Sequence, residues 1–427
     1  MLRGFARGCN RVARVGMVMK LRWLVLLLVA CVASHQAPSL HAQTAKPILI
    51  LISVDGFRYD YFDRAKAPNL KVLAARGVRS QGLIPSFPSV TFPNHYTIVT
   101  GLVPDHHGIV ANAMYDKSIG DAKFTMSSDI ARDPRWWGGE PIWTTAIKQG
   151  QKSAAMFWPG SEAVKPTYWK PFDDNVSNED RVKQVLEWMR LPEAERPTFN
   201  TLYFSETDHA GHDFGPDTPQ AIEAVEHVDA AIGQLMRGID NLGLSSRTTY
   251  VVVSDHGMAT TSNDRVIYLD DYLSADEIEV VEWSPNVEIN PKSAASAATI
   301  YAKLFDKHPA LGVYKREDLP KWLRYGANPR IPAIVGIAEL GWVVTTHASA
   351  ERTLKTAKGF NGGAHGYDPR YRELHGLFIA AGPSIRRGVV VPEFQNIHIY
   401  NLMCYVLGLT PAPNDGDFSQ VSRFIVW

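Results

Sequence analysis

Cysteine is nearly absent, with three in 427 residues, and two of them, Cys9 and Cys31, fall within the first 42. Cys404 then stands alone, which excludes an internal disulfide or a thiolate metal centre in the remainder and leaves stability to the apolar core or to bound ions. In N-L-M-C-Y-V-L it reads as a small apolar core residue. Acidic residues are missing from 1–42, where Arg3, Arg7, Arg11, Arg14, Lys20 and Arg22 precede the apolar run Trp23–Ala33. A basic stretch followed by a short apolar one predicts an export signal, and the run is too short to span a bilayer comfortably. Cleavage after Ala42, in S-L-H-A, predicts a periplasmic or secreted product. Leu28-Val29-Ala30-Cys31 offers the alternative of a lipoprotein box with a lipid anchor at Cys31. Excess positive charge is lacking too: residues 43–427 hold 38 basic against 44 acidic residues, a net of −6. That excludes the basic footprint of a protein binding duplex nucleic acid. Residues 260–350 hold no internal repeat and no low-complexity tract.

What is present is an ordinary globular composition, 45% hydrophobic and 21% charged, long enough for one large α/β domain with an insertion. The run I-L-I-L-I-S-V before Asp55 has no alternation, which predicts a parallel strand covered on both faces. Two further strands of that type follow. F-N-T-L-Y-F runs into a loop carrying Asp208 and His212, and T-T-Y-V-V-V leads directly to Asp255 and His256. Three buried strands each ending near an acidic residue predict a site assembled along the carboxyl edge of one sheet. Helices are predicted over 65–79, from Glu179 to Leu191 and from Gln220 to Leu242. Residues 260–350 are read as an inserted lobe containing a helix from about Ala294 to Phe305. G-L-F-I-A-A-G-P is one more buried strand, and Asn396–Leu409 a packing helix. Residues 1–42 are thus an export signal and 43–427 the folded domain.

The stretch P-S-F-P-S-V-T-F-P-N-H-Y-T-I-V-T-G, Pro85–Gly101, predicts a loop that delivers Thr91 to a helix N-terminus, with Pro93 in the first turn and Gly101 at the C-terminal cap. Unpaired N–H groups and partial positive charge at such a terminus suit a hydroxyl that meets a phosphate. A plain N-cap role for Thr91 is the alternative. Asn112 can donate to a phosphate oxygen. The neighbours His106 and His107 are read as structural, and Trp136, Trp137, Trp143 and Trp158 as core or pocket wall.

Asp55, Thr91, Asp208, His212, Asp255, His256 and His365, the last amid glycines in G-F-N-G-G-A-H-G-Y-D-P, make an oxygen and nitrogen ligand set suited to catalytic Zn²⁺. Seven groups are too many for one tetrahedral ion and suit two. Three aspartates and two dications sum to +1, which attracts a monoanionic phosphodiester. A threonine oxygen ionised beside one metal would attack phosphorus while the other ion held the leaving oxygen.

V-D-G-F-R, T-F-P-N-H, N-A-M-Y-D, W-P-G-S-E, D-H-A-G-H-D-F-G-P, S-D-H-G-M and H-G-Y-D, in order over about 47–425, resemble the nucleotide pyrophosphatase/phosphodiesterase family of the alkaline phosphatase superfamily, here as a bacterial exported member. The resemblance implies a mostly parallel central sheet flanked by helices, with a smaller inserted lobe. It implies two Zn²⁺, one on Asp208, His212 and His365, the other on Asp55, Asp255, His256 and the nucleophile Thr91. It further implies a covalent threonine intermediate, Asn112 donating to the phosphoryl oxygen, and a nucleobase sandwiched by Phe92 and Tyr203. Phe172 replaces the Tyr usual in nucleotide-hydrolysing members, and Glu162 the usual Asp. The expected activity is hydrolysis of nucleotide phosphodiester or pyrophosphate bonds to nucleoside 5'-monophosphates, by a monomer. A phospholipid or choline-phosphate diesterase on the same scaffold is the alternative. The Arg and third metal site of phosphomonoesterases and the modified Cys or Ser of sulfatases have no counterpart in the nucleophile stretch.

Overall fold

A computed structural model describes residues 46–292 and 295–426. Cys9, the stretch read as an export signal and the alternative lipid-anchor position Cys31 lie outside the described residues. Strand β1 (Ile48–Val54) is buried along its whole length and is followed by helix α1 (Pro68–Arg76), strand β2 (Val78–Ser80) and helix α2 (Thr91–Thr100). Strand β3 (Ala113–Asp116) opens a hairpin, β4 (Ser153–Met156) and β5 (Tyr168–Lys170) return to the main sheet, and helix α3 (Asn178–Met189) leads to β6 (Phe199–Phe204). Helices α4 (Glu206–Phe214) and α5 (Pro219–Asn241) come next, then β7 (Thr248–Val253) and the short β8 (Ala259–Thr261). The segment read as an inserted lobe contains β9 (Ile278–Glu282), β10 (Asn286–Pro291), helix α6 (Ala297–Leu304), β11 (Leu311–Lys315) and β12 (Ile334–Ala338). The chain closes with β13 (Gly362–Ala364), β14 (Phe378–Ala381), β15 (Val389–Val391) and helix α7 (Ile399–Leu407), in which Cys404 is buried.

The central sheet runs β15-β2-β14-β7-β1-β6-β4-β5, parallel except for β14, which is antiparallel to both neighbours. Both faces are covered. Ile48, Ile50, Ile52 and Val54 pack with the apolar sides of α1, α3 and α5, while Leu49 and Leu51 face the layer that includes α2 and α7. An αβα sandwich therefore explains the unbroken aliphatic run: alternate residues serve two cores, and each fully buried aliphatic side chain is worth roughly 1.5–3 kcal/mol. A second sheet, β9-β10-β12-β11, is wholly antiparallel and has its own apolar cluster with α6. No helix among the described residues is long and apolar enough to cross a membrane.

Candidate active site

Asp55 follows the last residue of β1, and Asp255 and His256 follow β7, its hydrogen-bonded neighbour, so both carboxylates emerge from adjacent strand ends. Gly56 has φ +65, and a Cβ there would lie 2.8 Å from the Asp208 Cα. Glycine is what lets the start of α4 approach the end of β1 this closely. Asp208 and His212 sit on α4 rather than in a loop, one turn apart on one face. His365 is supplied by the turn after β13, which is held by antiparallel pairing to β8.

These six side chains converge. Asp208 Oδ1 lies 3.5 Å from His212 Nε2 and 3.6 Å from His365 Nε2, and the two imidazole nitrogens are 3.1 Å apart. His256 Nε2 lies 3.0 Å from Asp255 Oδ2 and 3.5 Å from Asp55 Oδ1. His256 and His365 stack with centroids 3.6 Å apart, which joins the two groups into one cluster. Asp55, Asp255 and His256 form one compact ligand set, and Asp208, His256 and His365 another.

The donor chemistry fits cations. Each imidazole makes its Nδ1 contact with a backbone carbonyl: His212 with Gly363 at 2.8 Å, His256 with Gly257 at 2.9 Å, His365 with Ser89 at 3.1 Å. That contact fixes the tautomer and leaves Nε2 as a lone pair facing inward, as metal-ligating histidines require. Opposite these lone pairs stand Asp55 Oδ1, Asp208 Oδ1 and Asp255 Oδ2, all buried and without a hydrogen-bond donor. Lone pair against lone pair near 3 Å is repulsive unless a cation lies between. The second oxygens are held from behind, Asp55 Oδ2 by the Tyr203 hydroxyl at 2.6 Å and Asp255 Oδ1 by the Gly56 N–H at 3.3 Å.

The electrostatics differ from group to group. Burial, followed by the charges of Asp255 and Asp208, pushes the Asp55 carboxyl well above the usual range. Burial also acts on Asp255, but His256 and His95 outweigh it and hold that carboxyl low. His365 is pushed well below the usual imidazole value by burial, then by His256 and His212. Burial opposes the His256 imidazolium and the Asp255 carboxylate overcomes it, so His256 is raised.

Thr91 is the first residue of α2. Its preceding residue Val90 takes the capping position, and its own hydroxyl makes no cap bond. The Oγ1 atom lies instead 3.4 Å from His256 Nε2. Asn112 Oδ1 accepts the Phe92 N–H at 3.0 Å, so the acceptor end of this amide is spent on the helix start and its N–H₂ end remains a donor. Thr91 opens onto a cavity of about 480 Å³, walled by Phe92, Trp137, Trp158 and Phe172 and rimmed by Arg132 and Lys170.

Tyr203 also lines this cavity; it is 8% exposed, its hydroxyl donates to Asp55, and its ring meets Phe172 edge-to-face at 6.0 Å. Phe172, 50% exposed, lines the same cavity and meets Phe157 edge-to-face at 5.3 Å. Glu162 anchors this wall, accepting from the Phe172 N–H at 2.9 Å and from Arg132 Nε at 2.8 Å. His106 and His107 are bound elsewhere, to Asp415 at 2.8 Å and to Thr97 at 3.0 Å. His95 escaped the sequence reading although its i,i+4 spacing from Thr91 places it on the same helix face. It is buried with Nδ1 2.9 Å from the Thr91 carbonyl and 3.4 Å from Asp255 Oδ2, and Nε2 2.8 Å from Ser53 Oγ.

The family model "Type I phosphodiesterase / nucleotide pyrophosphatase" matches residues 49–368. The chain is 36% identical over 411 residues to the rat ectonucleotide pyrophosphatase/phosphodiesterase family member 3, covering 93% of this chain and 46% of that protein. It is 37% identical over 408 residues to the venom phosphodiesterase CdcPDE of Crotalus durissus collilineatus, covering 92% and 48%. The chain thus spans about half the length of these relatives. Among solved structures, an inactive Thr-to-Ala variant of murine ectonucleotide pyrophosphatase/phosphodiesterase 5 in complex with AMP superposes with TM-score 0.83 at 34% identity, covering 89% of this chain and all of that one. The human counterpart gives 0.84 at 33%, covering 90% of this chain and likewise all of that one. With the αβα sheet and the acidic strand ends already in place, these matches show that the chain belongs to the type I phosphodiesterase / nucleotide pyrophosphatase family.

Proposed function

We propose that this protein is an exported two-zinc phosphodiesterase that cleaves nucleotide phosphodiester or pyrophosphate bonds and releases nucleoside 5'-monophosphates. The observation that carries the reading is Thr91 Oγ1 at a helix start, 3.4 Å from His256 Nε2, at the mouth of an aromatic-walled cavity. Asp208, His212 and His365 would hold one zinc ion, and Asp55, Asp255, His256 and Thr91 the other. Bound there, the ions would acidify the threonine hydroxyl and neutralise charge on the departing oxygen.

The chain's own residues supply the rest. Helix α2 aims its N-terminal N–H groups and the Thr91 hydroxyl at the phosphate, and Asn112 donates its amide to a non-bridging phosphoryl oxygen. The Thr91 Oγ–P bond forms as the bond to the leaving oxygen breaks; water then attacks the threonine-bound phosphoryl group, freeing the monophosphate and the hydroxyl. Tyr203 holds Asp55 in orientation throughout, since burial and then the Asp55 carboxylate keep its hydroxyl protonated. Phe92 and Tyr203 would sandwich the base, with Phe172 completing the aromatic wall beside them. The relatives' printed activity and the AMP in the murine neighbour support a nucleotide in this cavity.

Export rests on the basic-then-apolar leader in 1–42. Turnover of the p-nitrophenyl ester of thymidine 5'-monophosphate beside p-nitrophenyl phosphorylcholine, with zinc content measured on the same preparation, tests the assignment. Faster turnover of the choline ester removes it.

A further inference from the structure

Strand β10 reads N-V-E-I-N-P, and its two faces have different tasks. Val287 and Ile289 enter the apolar cluster of the antiparallel sheet, whereas Asn286 and Glu288 are buried polar side chains on the opposite face. A charged residue at 1% exposure in a strand centre calls for a reason. Both residues lead to the active-site loops. Asn286 donates to the Gly366 carbonyl, one residue beyond His365. Glu288 Oε1 lies 2.8 Å from the Tyr325 hydroxyl, which in turn lies 3.0 Å from the Val110 carbonyl, two residues before Asn112. On the other side of Asn112, the Ala113 N–H donates to Glu282 Oε2 at 2.8 Å, from the adjacent strand β9.

We propose that Glu288 and Tyr325 are positioning residues that hold the Val110–Ala113 segment, with Glu282 as its second anchor, and so fix the Asn112 amide against the first turn of α2. This rests on the reading of Asn112 as the phosphoryl donor. Hydrogen-bond counting supports it. Tyrosine has one hydroxyl proton, yet Tyr325 Oη contacts two oxygens. Both contacts are hydrogen bonds only if Glu288 is a neutral acid donating to Tyr325 while Tyr325 donates to Val110. The surroundings agree. The titratable groups that act on Glu288 are Tyr325 and Glu282, and neither is a cation; burial pushes Glu288 up to about 8. The chain Glu288 to Tyr325 to Val110 thereby ties a backbone carbonyl beside Asn112 to the antiparallel sheet, while Oδ1 of Asn112 ties its side chain to Phe92. Both ends of the donor are restrained, as a preorganised oxyanion contact requires.

The test is a variant set assayed as zinc-loaded enzyme on the thymidine 5'-monophosphate p-nitrophenyl ester, with thermal melts as a folding control. Tyr325→Phe, which loses only the hydroxyl, is expected to lower kcat by about tenfold with KM within about twofold, because a displaced donor is felt at the transition state more than in ground-state binding. Glu288→Gln, whose amide still donates to Tyr325, is expected to retain kcat. In an Asn112→Ala background, Tyr325→Phe should have no further effect. Wild-type kcat in Tyr325→Phe overturns the proposal, and so does a loss of equal size in the Asn112→Ala background. Should Asn112→Ala itself turn over at the wild-type rate, the donor role of Asn112 fails, which is a separate outcome. If Tyr325→Phe is too unstable to assay, Glu288→Leu replaces it: a fall in kcat of about tenfold that Glu288→Gln does not share upholds the proposal, and wild-type kcat in folded Glu288→Leu overturns it.

Discussion

Replacing Asn112 by Asp separates the two jobs of this side chain. In the native protein Oδ1 accepts the Phe92 N–H at 3.0 Å and the amide nitrogen is free to donate. Aspartate is isosteric, keeps the acceptor, and adds a negative charge at a helix N-terminus, worth roughly 0.3–1 kcal/mol in favour of the fold. Asn112→Asp should therefore melt at or slightly above the wild-type temperature. Its catalytic cost is the loss of one preorganised donor, about 10²–10³ in kcat or roughly 2.7–4 kcal/mol, and repulsion of an anionic diester adds to that figure. Asn112→Ala should lose the donor and also the bond to Phe92, costing about 1 kcal/mol of stability. Steady-state kinetics on the thymidine ester, paired with differential scanning fluorimetry of the same samples, would measure both. A kcat for Asn112→Asp within tenfold of wild type refutes the donor role, and a marked fall in its melting temperature refutes the division of labour.

Phe172→Ala should raise KM for nucleotide esters by roughly 5- to 150-fold, the equivalent of about 1–3 kcal/mol of base stacking, and leave bis(p-nitrophenyl) phosphate largely unaffected. Equal losses on both substrates would dismiss stacking on that ring. Thr91→Ala should abolish trapping of a phosphoryl-enzyme on rapid acid quench yet keep near-stoichiometric zinc on the remaining six ligands; a trapped adduct in that variant disproves the nucleophile. Glu288, pushed up to about 8 by burial against an ordinary value of 4.5, contributes stability that is full below about pH 4.5 and is lost as pH rises through about 8. The melting temperature of Glu288→Gln relative to wild type should climb between pH 5 and pH 8.5, for a swing of order 5 kcal/mol, and a constant difference across that range would contradict the neutral acid.

Much of the sheet was legible because burial on two faces leaves a local signature. The aliphatic runs before Asp55 and Asp255 are parallel strands β1 and β7, side by side. The run Phe378–Ala381 was equally readable as a strand, but not its antiparallel direction, which depends on which neighbours it pairs with rather than on its own residues. The D-x-x-x-H spacing of Asp208 and His212 allowed one side of a helical turn, and the structure makes them one turn of α4, although D-H-A-G-H has too few apolar residues to mark the helix's extent. How the aromatic wall is arranged was not legible for a related reason. Tyr203 and Phe172 are both aromatic in sequence, and only packing shows that the tyrosine hydroxyl is spent on Asp55, 148 positions away, while the phenylalanine remains half exposed.

The sequence by itself determined the ingredients: acidic residues at strand ends, a hydroxyl at a helix start, imidazoles in place of thiolates, and a periodicity that demands a covered sheet. These are properties of residue type and spacing over a few positions, where the chain's local chemistry is decisive. Tertiary structure alone decided which atoms face one another. The orphaned oxygens of Asp55, Asp208 and Asp255, the inward Nε2 atoms of three histidines, and the path from Glu288 through Tyr325 to the segment carrying Asn112 all join residues far apart in sequence. Their meeting is set by how the sheets and helices pack, and no local pattern encodes it.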